Sequence, residues 1–304
     1  MKHAYLLLWI AVCAAAVAPV GAAETGGLRY SVTVSQFENE AGWYGHWDIG
    51  NAWGTVLTDL LNQSGRFIVL GETDMRYEAM AEQDLAASGR TAGGGKAPAT
   101  GQMTPAQILV KGAITHVQDD TAGAGGGVRI KGFKVGGGGG KSEINVTIYM
   151  VDSTTGQVLA STNVVGTSKK RAANVGYDTG SWGAAFGGNK DDNVGLAVQD
   201  ACGQAVDFLT AQLANVPWTG SVVMVKDGQV YINRGSREGV AAGQQFAVGA
   251  VEVIRDPDTG EVLDEDMTEL CRIQASEVKE KITICSVVDG DASAVEKGMK
   301  VHLQ

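Results

Sequence analysis

The sequence predicts an α/β fold, a mixed sheet with packed helices, followed by a small all-β domain. Between Leu28 and Leu213, strand-like runs alternate with segments whose apolar residues recur at i, i+3 and i+4. From Val222 onward that helical spacing disappears, and short strand-like runs separated by turn residues replace it. The length of 304 residues exceeds one ordinary core and falls short of three, so two domains are expected.

The first domain is read element by element. Leu28 to Ser35 alternates apolar and polar residues, as an opening strand half covered by helices would. Trp53, Val56, Leu57, Leu60 and Leu61 share one face of a helix over about Asn51 to Ser64; Gly65 supplies its left-handed stop, and Phe67 to Leu70 is a buried strand. Thr73 or Asp74 caps a second helix that reaches about Ala87, with Gly89 as its stop. Residues 89–103 lack apolar periodicity and read as a surface loop. Thr104-Pro105, a pair suited to a first helical turn, restarts order before the strand Ile108 to Val117. Glu143 to Val151 and Gln157 to Val165 flank Asp152-Ser-Thr-Thr-Gly156, which is hairpin chemistry. Asn193 caps a long helix in which Val194, Ala197, Val198, Ala201, Ala205, Phe208 and Leu209 trace one face until Pro217 ends it. The predicted order is β-α-β-α-β-β-β-α.

In the second domain, Val222 to Val225, the turn Lys226-Asp227-Gly228 and Gln229 to Asn233 form a first hairpin. Gly235, Gly239 and Gly243 each mark a turn geometry that a side chain would forbid.

The N-terminus points to export. Lys2 and His3 precede the apolar run Ala4 to Val17, and Val20-Gly21-Ala22-Ala23 offers small residues for cleavage. Cys13 follows Ile10-Ala11-Val12, whereas lipidation would want a small residue beside the cysteine, so cleavage near Ala23 is expected. The expected organisation is a signal peptide over 1–23, an α/β domain over 24–215 with glycine-rich insertions at 119–141 and 169–193, and a small β-barrel over 216–304. Cys271 and Cys285 lie in two strand-like runs. An oxidising periplasm permits a disulfide between them, and a pair of buried free thiols fits the same spacing.

Composition argues against several ligand classes. A formal net charge of -10, with lysines scattered except at Lys169-Lys170-Arg171, does not suit nucleic acid. The run Gly136 to Gly140, Lys141, Ser142 imitates a phosphate loop, but Val135 stands where the motif needs glycine and a strand follows instead of a helix. No nucleotide or other cofactor is expected. Asp256-Pro-Asp-Thr-Gly260 imitates a calcium loop but reads as a hairpin turn. His46, His116 and His302 are too dispersed for a metal site, and His116 reads as a packed or hydrogen-bonded core residue. No Gly-x-Ser-x-Gly elbow occurs, so no catalytic residues and no enzyme are expected.

The wording from Phe37 to Leu85, together with Ile108-Leu-Val-Lys-Gly-Ala-Ile-Thr-His-Val117, resembles the CsgG family, the curli production assembly/transport component of the bacterial cell envelope. The resemblance covers about residues 28–214. It implies a homo-oligomeric, non-enzymatic envelope component with an envelope or secreted protein as partner, in the periplasmic space or associated with the outer membrane. It further implies that each insertion supplies a hairpin to a shared transmembrane β-barrel. Val128, Ile130 and Phe133 in the first insertion and Val175, Tyr177, Trp182 and Phe186 in the second would be membrane-hairpin residues. The bland alternative is two flexible loops on a soluble periplasmic scaffold or adaptor. The loop Asn39 to Ile49, shorter than the gate loop of channel members, holds Trp43, Tyr44 and Trp47, which suit contact with a partner or neighbouring subunit, or burial against the following helix. The run Gly228 to Phe246 and the later Asp256 to Leu263 are similar to the C-terminal domain of the flagellar assembly protein T family, which implies an SH3-like barrel.

Overall fold

The structure, a computed structural model, describes residues 27–45, 47–95, 97–119, 142–168 and 193–303. The first half builds one mixed sheet from β1 (Tyr30–Val34), β2 (Glu38–Asn39), β3 (Phe67–Val69), β4 (Ile108–Asp119), β5 (Ser142–Asp152) and β6 (Val158–Thr167). Along the order β3-β1-β4-β5-β6, the first three strands run parallel and the last two antiparallel, with β2 added in parallel to β4. The helices are α1 (Ile49–Ser64), α2 (Thr73–Ala87) and α3 (Asn193–Gln212). Apart from the two-residue β2, this is the predicted order.

Helix α1 starts where Asp48 Oδ1 accepts from the Gly50 and Asn51 amides at 2.9 and 3.1 Å, and it stops at Gly65 in the left-handed region. Its apolar face buries Trp53, Val56, Leu57, Leu60 and Leu61, all five residues of the predicted stripe. Helix α1 packs on β1 and β3, α3 packs on β5 and β6, and the two helices touch each other, closing a core over one side of the sheet. Gly166 lets α3 lie almost on β6, since a Cβ there would stand 2.0 Å from the Ala197 carbonyl oxygen. Helix α2 differs from the other two. It buries none of its residues, leaving Met75, Tyr77, Met80 and Leu85 exposed.

Three local expectations are corrected. Thr104-Pro105 starts no helical turn; the Pro105 carbonyl accepts from Ser31 Oγ at 2.8 Å and leads straight into β4. His116 is exposed and not in the core, because a bulge between Ile114 and His116 breaks the in-out alternation of β4. Gly235 has an extended φ of -140° and no left-handed turn; it is needed because a Cβ would stand 2.2 Å from the Lys279 carbonyl oxygen. Gly239, by contrast, does take a positive φ of 83°.

The second half is a closed antiparallel barrel. Its strands are β7 (Thr219–Lys226), β8 (Gln229–Ile232), β9 (Gln245–Arg255), β10 (Val262–Val278), β11 (Thr283–Gly290) and β12 (Lys300–Leu303), in the order β10-β11-β8-β7-β12-β9. Closure removes the free edges that a small sheet would expose. The imitation calcium loop is a hairpin turn that matches the one between β5 and β6, while the glycine run 136–141 lies outside the described residues. Asp152 Oδ1 accepts from the Thr154 and Thr155 amides at 2.7 and 2.9 Å, and Asp256 Oδ1 accepts from the Asp258 and Thr259 amides at the same two distances.

Barrel and sheet are tied at the start of β1. The Arg29 amide donates to the Glu238 carbonyl at 2.9 Å, and the Tyr30 hydroxyl donates to the Val216 carbonyl at 2.5 Å. Trp218 and Phe246 of the barrel belong to the same continuous apolar core as Trp53 and Leu209.

Cys271 and Cys285 are buried free thiols. They sit on neighbouring strands, but Cys271 faces Gly290 while Cys285 faces Ala275. That offset along the ladder is far beyond the ~7 Å Cα separation a disulfide can bridge. The bond the sequence permitted is therefore not formed.

Candidate functional site

The connection between β1 and α1 forms one wall of an open cleft of about 1000 Å³, and the start of α2 forms another. Asn39 holds the connection in shape: its amide nitrogen donates to the Trp43 carbonyl at 2.7 Å, and its Oδ1 accepts from the Trp43 amide at 3.3 Å. The Ala41 amide donates to the Ile114 carbonyl at 2.8 Å, anchoring the loop to the sheet. Asp48 then turns the chain into α1.

The three aromatic residues singled out from the sequence separate in the structure. Trp43 and Trp47 are half-buried against the core, with ring centroids 5.1 Å apart and planes tilted by 57°. Tyr44 projects away, 93% exposed. Within this loop the two tryptophans pack against the core, and the tyrosine side chain stands in solvent.

The cleft is acidic as well as aromatic. Tyr77 of α2 joins the loop aromatics, and Glu38, Asp48, Glu72 and Asp74 line the walls. Lys111, the cation among the lining residues, is already paired with Glu38 at 3.0 Å. Glu72 is 7% exposed. Burial pushes its carboxyl above the ordinary value, and the neighbouring Asp74 charge adds to the shift, while the Thr55 and Thr58 hydroxyls pull the other way. Sequence reading missed Glu72 and Tyr77, since neither belongs to a motif and both reach the cleft only through the path of β3. Aromatic faces beside carboxylates suit a partner with apolar or cationic groups. Among the described residues no group of His, Cys, Asp and Glu side chains is arranged to hold a metal ion.

The two insertions leave the sheet from a shared point. The residues bracketing the first, Asp119 and Ser142, are paired across β4 and β5, with Ser142 Oγ donating to Asp119 Oδ1 at 3.0 Å. Ser168, which opens the second, exchanges bonds with Ser142: its Oγ accepts from the Ser142 amide and its own amide donates to the Ser142 carbonyl, both at 2.9 Å. Val128, Ile130, Phe133, Val175, Tyr177, Trp182 and Phe186 lie outside the described residues, as do His46, Cys13 and the 1–23 segment.

These features define a two-part protein: a mixed sheet with α1 and α3 packed on it, joined to a closed six-stranded antiparallel barrel. The first part is identified by the model of the family described as curli production assembly/transport component CsgG, which matches residues 15–220. The chain belongs to the CsgG family, and thus to a family of envelope-associated assembly and transport components. No curated protein matches the chain. Solved structures similar in part include a PelC dodecamer from Paraburkholderia phytofirmans, 16% identical over 46% of this chain and 72% of that one, with a TM-score of 0.28. The hypothetical protein CT253 from Chlamydia trachomatis is 12% identical over 62% of this chain and 99% of that one, at 0.37. The lipoprotein GNA1162 from Neisseria meningitidis is 15% identical over 62% and 99%, at 0.26.

Proposed function

We propose that this protein is an exported, non-enzymatic assembly or transport component of the cell envelope that works as a homo-oligomer and contributes its two insertions to an outer-membrane channel. The observation that carries the reading is the shared root of the insertions at Asp119, Ser142 and Ser168. Two hairpins rising side by side from one sheet end can continue around a ring of copies, and ring closure is what satisfies backbone groups inside lipid. Family membership supports the same reading. The exposed apolar residues of α2 and the free Tyr44 offer surface to neighbouring copies or to a secreted protein partner. No nucleotide, metal or other cofactor takes part. The barrel, read as SH3-like and similar to the flagellar assembly protein T domain, is an adaptor.

A second reading, a soluble periplasmic scaffold, draws on the barrel and on the open, acidic aromatic cleft, which suit docking onto an envelope machine. Fractionation of the native protein tests both. Large outer-membrane oligomers that resist carbonate washing and keep their size in detergent are expected. A monomer or small oligomer released with the periplasm would overturn the channel and leave the scaffold.

A further inference from the structure

The junction of sheet and barrel holds a second cleft, of about 790 Å³, within the size range of small-molecule sites. Three nitrogen atoms of its lining residues are buried without a hydrogen-bond partner: Arg66 Nε, Trp218 Nε1 and His302 Nε2. Arg66 follows α1, Trp218 precedes β7 and His302 lies in β12, so only the tertiary fold gathers them. Trp218 is 7% exposed, and its ring is held by stacking on Phe246 at 5.2 Å. The Arg66 guanidinium lies against Gly27, where a Cβ would stand 2.5 Å from Nη2.

A buried donor without an acceptor is costly, and native structures carry few of them. Arg66 Nε and Trp218 Nε1 can only donate, and His302 Nε2 donates in the tautomer that carries its proton there; three such atoms in the lining of one cleft are a stronger observation than any one alone. The charge of the lining points the same way. In a chain of net charge -10, this cleft contains no aspartate and no glutamate, while the cleft beside Trp43 contains four. The remaining wall is largely apolar, including Leu28, Leu213, Pro217 and Leu303.

We infer that this junction is a binding site for a small amphiphile, an apolar body ending in an oxyanion, whose oxygens accept from Arg66, Trp218 and His302. A carboxylate and a phosphate monoester share that chemistry. An apolar wall with a guanidinium and two ring nitrogens selects an acceptor group and excludes a cation. The site does not depend on the channel reading, because it lies where the barrel meets the start of β1.

The test is calorimetric titration of the full exported chain with octanoate, monooctyl phosphate and 1-octanol, each below its micelle concentration. Octanoate or octyl phosphate is expected to bind at one site, with octanol at least about tenfold weaker. A preference for octyl phosphate assigns a phosphate headgroup; a preference for octanoate assigns a free acid. Arg66→Gln should weaken binding about tenfold to a hundredfold, and Trp218→Phe, which keeps the ring stack and removes the donor, about threefold to tenfold. Neither variant loses a protein hydrogen bond at these atoms, so the unligated thermal midpoint should hold or rise in both. Equal binding of octanol, absence of binding by all three probes, or variants that bind as the parent does but melt earlier would each overturn the assignment.

Discussion

Phe37 and Gly112 form one packing unit: Phe37 Cε1 lies 2.4 Å from where a Cβ on Gly112 would stand. The same ring meets Trp53 of α1 at a centroid distance of 5.4 Å, so Gly112 is the floor on which the first residues after β1 and the first helix converge. The aromatic loop begins immediately beyond Phe37. The shape of the acidic cleft thus depends on the absence of a side chain on the neighbouring strand.

Gly112→Ala should accordingly destabilise the sheet domain. The added methyl would also stand 2.2 Å from the Thr147 carbonyl oxygen, which cannot rotate away. Overpacking of this kind costs about 1–3 kcal/mol, measurable as a lowered urea midpoint. An unchanged midpoint would show that both the Phe37 ring and the β5 backbone at Thr147 yield freely.

Tyr44→Ala and Trp43→Ala should part company. Tyr44 buries almost nothing, so its removal should change stability by less than about 0.5 kcal/mol. Trp43 packs against Trp47 and the core, and its loss should cost roughly 1–3 kcal/mol. If Tyr44 serves oligomer or partner contact, Tyr44→Ala will reduce complex size in detergent while leaving the melting curve in place.

Glu72 predicts a pH dependence. Its folded-state carboxyl is raised above 4.5, first by burial and then by Asp74, so the native state holds this proton to higher pH than the unfolded chain. Its contribution to stability is greatest below 4.5 and is lost as pH rises through the raised folded-state value. Glu72→Gln should flatten that part of the stability profile, as read by thermal melts from pH 4 upward. A variant profile parallel to the parent's would exclude Glu72 as the source.

The cysteines predict behaviour at the alkaline end. Burial pushes the Cys285 thiol up to about 12, and burial with the Glu269 and Asp291 charges raises Cys271. Both should resist alkylation in the native protein at pH 8, and reductant should not shift the melting temperature. The native state keeps the Cys285 proton that the unfolded chain releases at about 9, so stability should fall as pH rises from 9 towards 12. Rapid labelling of both thiols would show that the barrel opens.

Glu238 is 3% exposed and fastens the turn that meets the sheet domain. Its Oε2 accepts from the Gly235 amide at 2.9 Å, its Oε1 pairs with Arg237 Nη2 at 2.6 Å, and its backbone carbonyl takes the Arg29 amide. Glu238→Ala strands the Gly235 amide and should cost about 1–3 kcal/mol, with Glu238→Gln milder. Equal losses in both variants would mean that the charge, and not the accepted bond, holds the turn.

Much of the fold was legible along the chain because its signals are local. The stripe Trp53, Val56, Leu57, Leu60 and Leu61, the stop at Gly65 and the Asp-x-x-Thr-Gly turns each depend on residues within a few positions of one another. His116 was misread because a bulge, set by pairing with β5, reverses the inside and outside of a strand without changing its composition. Glu72 was missed for a related reason: a carboxylate is recognised as buried only once β3 and α1 are placed around it.

The sequence by itself determined the order of helices and strands, the change from α/β to all-β organisation near Pro217, the turn chemistry and the membership of the CsgG family, because periodicity and motif are properties of neighbours in the chain. Tertiary structure alone decided that Cys271 and Cys285 stay apart, that both insertions spring from one root, and that Arg66, Trp218 and His302 meet in one cleft. Those are properties of strand register and domain contact, in which residues far apart in the chain are brought together by burial of a shared core.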